Sequence, residues 1–524
     1  MKKLVALLIA LTMVLACAPV VMAEEATAID TSEHVVVTYM ATGDIPTNRT
    51  NEVLALVNEK LTEKVNAELA FQWIEWTDYT TKYNLQLAAQ DGTVDLVGTA
   101  TDWLDAWPNS QRGAFLPLSE EMLQTYAPQT WASVSAEHWD MCRYNGEIYM
   151  IPEDNYAQWI NHGFMYRGDW AAEAGLEDGV NSWEDLGVYF QYIVDNKEGV
   201  IPWDAGGSGS SYSPQLSTGW QFSHTTNIAI DGMPVSLFQG VSKDDPYTLS
   251  RYYLEGDEFV EYAKTMKEWA DAGYWRSDVL NYNGDTMGEM KEGLTGAHQH
   301  HTETWTGERT NMEKEQPGSD LQFFYFGEEM QNIVRMNITH GAMAVAAQSD
   351  CPERALMVYD LMRNDQEIYR LMMYGIEGES YTINEEGYLV RPDDFESTTD
   401  DVSFNFWWGR NDDLGLRAAD RDWEAIDALY AEYDSIAADY PYGQLVIDRT
   451  VPEISMYIDN ISNVYNTYMP QIVFGMAQDP ESFVAEFRSQ LQAAGIENVM
   501  AEVQRQIDAV YGDTAATTEE TAAE

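Results

Sequence analysis

The sequence predicts an α/β protein built on a parallel, doubly wound sheet in a chain long enough for two or three domains, and three observations predict it. The first is the order of elements near the N-terminus. Residues 34–40 are a β-branched run that reads as a strand, followed by a Gly43-Asp44-Ile45-Pro46 turn. Residues 51–67 then carry Val53, Leu54, Leu56, Val57, Leu61 and Val65 on one helical face. Residues 69–76 read as a second strand and 79–90 as a second helix. After the Asp91-Gly92 turn, 94–99 read as a third, buried strand. This β-α-β-α-β order implies parallel strands joined by helical crossovers. The second observation is length: 524 residues are two or three domains' worth of chain. The third is composition, because 45% apolar and 12% aromatic residues exclude a disordered body.

The elements further along fit the same plan. Asn145-Gly146-Glu147 and the Ile148-Tyr149-Met150-Ile151-Pro152 run after it read as a hairpin with a strand leaving it. Residues 183–195 and 258–272 are amphipathic helices, as are 354–362, 366–374, 481–494 and 499–511. Residues 206–213 form a Gly/Ser loop with no Lys in phosphate-loop spacing, so it reads as a plain connection. The Thr/Ala/Glu segment at 513–524 is expected to be disordered.

Charge and termini bound the setting. With 29 basic and 87 acidic residues the net charge is −58, which repels phosphate backbones and anionic lipid and argues against nucleic-acid partners. Lys2, Lys3, an apolar run over 4–15 and small residues up to Ala23 have the layout of a secretory signal, too short to span a bilayer. Val21-Met22-Ala23 suits cleavage after Ala23, giving a secreted protein. Val14-Leu15-Ala16-Cys17 offers the alternative of lipid anchoring through Cys17 at the cell surface. Cys142 and Cys351 are far apart and outside any ligand spacing, so two inert thiols are expected.

Four segments carry a family resemblance. They are "FQWIEWTDYTTKYNLQLAAQDGTVDLVGTA" with "GAFLPLSEEMLQTYAP"; "NGEIYMIPEDN" with "MYRGDWAAEAGL" and "SWEDL"; "YGIEGESYTINEEGYLV"; and "NISNVYNTYMPQIVFGMAQDPESFVAEFRSQLQAAGIENVMAEVQRQID". The chain resembles extracellular solute-binding proteins of family 1, in the LipO-like branch with a C-terminal DUF3502 region. The likeness spans about residues 34 to 511, and its last two segments are the branch-specific ones. It implies a type II periplasmic-binding fold of two lobes, each a mainly parallel sheet flanked by helices, joined by a multi-crossover hinge; the lobes close on a ligand and an ABC permease reads the closed form. It also implies boundaries: 34–153 plus 294–349 for the first lobe, 154–293 plus 350–512 for the second. The first hinge then lies at 153–156, a return strand within 293–305, a third crossover at 349–352, and the DUF3502-like part at about 440–511.

The expected ligand contacts follow from position. In open α/β sheets the ligand lies beyond the C-terminal strand ends, and sugars present C–H faces to aromatic rings and hydroxyls to polar groups. Thr101, Asp102 and Trp103 follow the third strand. Asn155, Tyr156 and Trp159 follow the first hinge; His300, Glu303 and Trp305 follow the expected return strand. Trp407, Trp408 and Arg410 stand in the polar-aromatic "NFWWGRND". Most large aromatics are core, and a surface ion pair is the plainer role for Arg410. His298 and His300 share one strand face, a spacing open to a metal. The chain lacks the acidic-His loop of zinc-binding relatives, so neither a metal nor any other cofactor is expected.

The resemblance therefore implies a monomeric ABC-importer component that captures a mono- or oligosaccharide without chemistry. A peptide or other small polar solute on the same fold is the alternative, and a sensor or adhesin that binds without transport is a third. A glycoside hydrolase needs two cleft carboxylates, which 87 acidic residues supply by chance. No GxSxG, HExxH or Cys/His nucleophile grouping appears.

Overall fold

The computed structural model describes residues 29–154, 162–205, 212–282 and 284–522. Residues 1–28 with the expected secretory signal, the 155–161 stretch holding Asn155, Tyr156 and Trp159, and most of the Gly/Ser loop lie outside these. Eight strands build the two main sheets: β1 (Val35–Thr42), β2 (Ala67–Ile74), β3 (Leu96–Thr99), β4 (Ile151–Pro152), β5 (His162–Arg167), β6 (Ala297–His301), β7 (Leu321–Tyr325) and β8 (Ala342–Val345).

The first sheet has the order β2-β1-β3-β8-β4. Strands β1, β2 and β3 run parallel, with Thr50–Val65 and Tyr79–Ala89 as their helical crossovers. Strand β8 joins antiparallel to both β3 and β4. Burial follows the helical period, since Val53, Val57, Leu61 and Val65 face the sheet and are shielded from water. Gly98 in β3 is required by packing, because a side chain there would meet the Trp408 indole at 2.7 Å.

The second sheet is β6-β5-β7, and both of its pairings are antiparallel, which corrects the expectation of a mainly parallel sheet in each lobe. Helices Trp183–Asn196, Glu258–Ala272, Ile458–Val473 and Pro480–Ala494 close a separate aromatic core over it. Trp183, Trp203, Phe164, Phe190 and Phe326 meet there mostly edge to face.

These two cores move two expected boundaries. The stretch at 293–305 is no return to the first lobe: β6 pairs with β5, deep in the second. The return is β8, whose Ala-Met-Ala-Val is buried throughout and lies beside β3, so small apolar residues suit it where the polar "AHQHH" does not. Helices Pro352–Asn364 and Gln366–Tyr374 pack on the first core through Leu356, Tyr359, Met362 and Met372, as do Phe404 and Phe406, so no crossover occurs at 349–352. The chain recrosses beyond Leu414, since Ile426 packs with Met165 and Leu321 beside β5 and β7. The last helix runs from Ile496 to Ala522, into the segment expected to be disordered. Its Ala and Glu content favours continuation of the helix.

Candidate functional site

The turns after β2 and β3 and a late loop of the first lobe converge on a run of indoles. Trp76 follows β2, Trp103 follows β3, and Trp407 and Trp408 share a short turn, Phe406–Gly409. Trp407 and Trp76 are near-parallel at 6.0 Å and 22°, Trp76 and Trp103 at 6.0 Å and 27°, Trp103 and Trp408 at 5.7 Å and 21°. Tyr79 sets its edge against both Trp76 and Trp103. The run grades from exposed to buried: Trp76 is 39% exposed, Trp103 and Trp407 are half-buried, and Trp408 is fully buried. Trp408, an expected contact, is therefore the footing of the platform and not its surface.

Beside this platform opens a cavity of about 200 Å³ between the lobes. Asp102, His340, Asp231, Asn332, Asn337 and Tyr440 line it. Hydrogen bonds tie its surroundings together. Thr101 Oγ1 pairs with Thr339 Oγ1 at 3.0 Å and donates to Asp231 Oδ2 at 3.4 Å, and His340 Nδ1 lies 2.8 Å from Asp102 Oδ2. Arg449 Nη1 donates to Asp105 Oδ1 at 2.8 Å and to Gly232 O at 3.3 Å, tying the lobes at one edge. Burial alone would lower His340, but Asp102, Glu153 and Asp231 outweigh it and raise its pKa. Asp231 is raised by burial first and by the Asp102 charge second.

Arg410 is neither a surface ion pair nor an open fork. Its Nε lies 3.2 Å from Oε1 of buried Glu153, at the point where the chain leaves the first lobe. Arg363 fixes the same point by donating to Pro152 O at 2.7 Å and Glu153 O at 2.9 Å. Burial pushes Glu153 up to about 7 against the pull of Arg410, His340 and Arg363. Glu303 is half-buried and accepts from Tyr430 at 3.4 Å. Its charge acts on Arg410.

Trp305 is corrected to core. It is 4% exposed, its Nε1 donates to Leu321 O at 3.0 Å, and it packs with Met165, Met290 and Met312. It sits at the seam of helix and sheet because β6 belongs to the second lobe. The histidines of β5 and β6 are held neutral by burial, His162 and His298 at about 3, His300 at about 4 and His301 at about 2. His298 pairs with Thr286 Oγ1 and His300 with Thr304 Oγ1, both at 2.7 Å. Among the described residues no three His, Cys, Asp or Glu side chains are grouped to hold a metal.

Sequence reasoning passed over Trp76, Tyr79, Asp231, Asn332 and His340. Trp76 was within reach, since it follows a strand just as Trp103 does. The other three polar residues lie on irregular segments that no periodicity marks.

Three comparisons bear on this arrangement. Residues 57–375 match the model of the bacterial extracellular solute-binding protein family, and 451–511 match a domain of unknown function, DUF3502. A carbohydrate ABC transporter substrate-binding protein of Streptococcus pneumoniae serotype 4 (strain ATCC BAA-334 / TIGR4) is 23% identical over 496 residues, 92% of each chain. The fold is similar to the N-glycan transport solute-binding protein NgtS of Streptococcus pneumoniae in complex with Man1GlcNAc: TM-score 0.70, 20% identity, 90% of this chain and 99% of that one. The alginate-binding protein AlgQ2 superposes with a TM-score of 0.63 at 16% identity, covering 92% of this chain and 99% of that one. With a family model matched over more than half its length, and two cores flanking one cleft, the chain belongs to the bacterial extracellular solute-binding proteins.

Proposed function

We propose that this protein is the substrate-binding component of an ABC importer that captures a saccharide between its lobes and hands it unaltered to a membrane permease. The observation that carries the reading is the graded indole platform beside a hydrogen-bonding cavity. Stacked rings offer flat apolar faces to sugar C–H groups while polar walls answer the hydroxyls. The relatives named for carbohydrate and glycan transport support it. The proposed lobes are residues 35–152 with 342–414, and 162–334 with 423–511. In the proposed contact set, Trp76, Tyr79, Trp103 and Trp407 stack, and Asp102, Asp231, Asn332 and His340 bond. Asn155, Tyr156 and Trp159 stay in the set through their place between Asp154 and His162. The protein works as a monomer outside the cytoplasm, without catalysis.

A thermal-shift screen of saccharides and short peptides tests this. A ligand at a hundredfold excess over its Kd stabilises by about 2.7 kcal/mol. Saccharides are expected to raise the melting temperature and emerge unhydrolysed. A shift with peptides alone, or turnover of the sugar, overturns the reading.

A further inference from the structure

The cavity wall has a bias that the indole platform lacks: it is built to accept hydrogen bonds. Asn332 is 5% exposed, and its Nδ2 donates to Thr225 O at 3.1 Å and Asn227 O at 3.3 Å. Those two bonds fix the amide, leaving the buried Oδ1 without a partner among the described residues while the side chain lines the cavity. An orphaned buried acceptor costs free energy until something donates to it. Asp231 stands on the same wall and accepts from Asn337 Nδ2 at 3.3 Å and Thr101 Oγ1 at 3.4 Å, with the Tyr440 hydroxyl also bonded to its carboxyl group. A carboxylate has about four acceptor sites, so it too has capacity left. Asp102 adds a second carboxylate to the lining.

The cations at this wall are already answered. Arg335 pairs with Asp439 at 2.7 Å and lies 3.9 Å from Asp434; His340 is engaged by Asp102. His162 is neutral through burial, so it offers no charge. A carboxylate entering here meets Asp231, which above about pH 7 carries a like charge away from bulk water, while Asp102 is held by His340.

Resting on the saccharide reading above, we propose that the sugar residue seated in this cavity is uncharged, donates hydroxyl or amide hydrogens to Asn332 Oδ1 and Asp231, and that its uronic acid counterpart is rejected. The net charge of −58 also repels anions at long range, but salt screens that part. The local discrimination therefore persists at high ionic strength.

The test is calorimetric titration, at 150 and 500 mM NaCl, of a panel of gluco-, galacto- and manno-configured di- and trisaccharides. Each is paired with versions carrying a C6 carboxylate on one or the other terminal residue. Neutral members are expected to bind at least about tenfold tighter than the version whose acid enters the cavity, at both salt concentrations. Asp231→Asn should narrow that gap, and Asn332→Asp should widen it, with circular dichroism confirming the fold of both. Acidic versions that bind as tightly as the neutral ones at both termini overturn the proposal, as does an unchanged gap in Asp231→Asn. If neither neutral nor acidic sugars bind, the saccharide reading itself falls and takes this inference with it.

Discussion

The two lobes meet the cleft with different chemistry. The first presents indoles from turns that follow successive parallel strands, so its contribution is apolar, flat and rigidly footed on Trp408 and Gly98. The second presents carboxylate and amide oxygens from irregular segments around Asp231 and Asn332, with neutral histidines behind them. Stacking on rings tolerates many sugars, because every pyranose has a C–H face. Fixed acceptors do not, because an unmatched buried polar group is penalised. In the proposed contact set, the difference assigns affinity chiefly to the first lobe and selectivity chiefly to the second.

The largest expected effect tests where that division stops. Trp305 is an aromatic of the second lobe, yet it is core and not cleft. Trp305→Ala removes a fully packed indole and should cost about 3–5 kcal/mol of stability. Chemical denaturation should show that loss, while the affinity of the remaining folded protein stays within about twofold of wild type. A collapse of affinity with stability intact would return Trp305 to the cleft.

Next in size are the platform rings. Trp76→Ala and Trp103→Ala should each lose about 0.5–1.5 kcal/mol of saccharide binding, roughly two- to twelvefold. Trp76 is 39% exposed, so its loss should barely move the melting temperature. Because the two rings touch, a double-mutant cycle should show coupling. Unchanged affinity in both single variants removes the platform from the site.

The same contrast explains what the sequence revealed. The first sheet was legible because β1, β2 and β3 alternate with helices at unambiguous periods, and Asp102 and Trp103 follow from the rule for strand ends. The lobe boundaries were not legible. "AHQHH" and "AMAV" both end glycine-led strands, and only pairing separates them: β6 lies on β5 and β8 on β3. Nothing local in a strand names its partner. Asn332 and Asp231 were silent for a related reason, since their role comes from partners such as Thr225 and Thr101, distant in sequence. Arg410 was visible as a charge, but its engagement by Glu153 depends on the chain returning through Gly341.

The seam between the lobes gives the smallest and most specific effect. Glu153 is 4% exposed, donates its N–H to Gly341 O at 2.7 Å, and faces Arg410, His340, Arg363 and Asp412. Its folded pKa is pushed up to about 7, above the unfolded value near 4.5, so its contribution is complete below about 4.5 and is lost as pH rises through about 7. His340 and Asp231 are raised too and act in the same direction, as does Glu328, pushed up to about 8 by burial and Glu432. The four histidines lowered by burial act oppositely, chiefly as pH falls below about 6.5. Between pH 6.5 and 8.5 the histidine contribution fades while the raised groups titrate, and the melting temperature should fall by a few degrees across that window. Glu153→Gln lowers the melting temperature overall, because Arg410 loses its carboxylate, but its slope with pH should be visibly shallower than wild type. An identical slope in the two proteins would mean that Glu153 does not titrate in this window, and that the seam, unlike the cavity wall, is electrostatically settled at neutral pH.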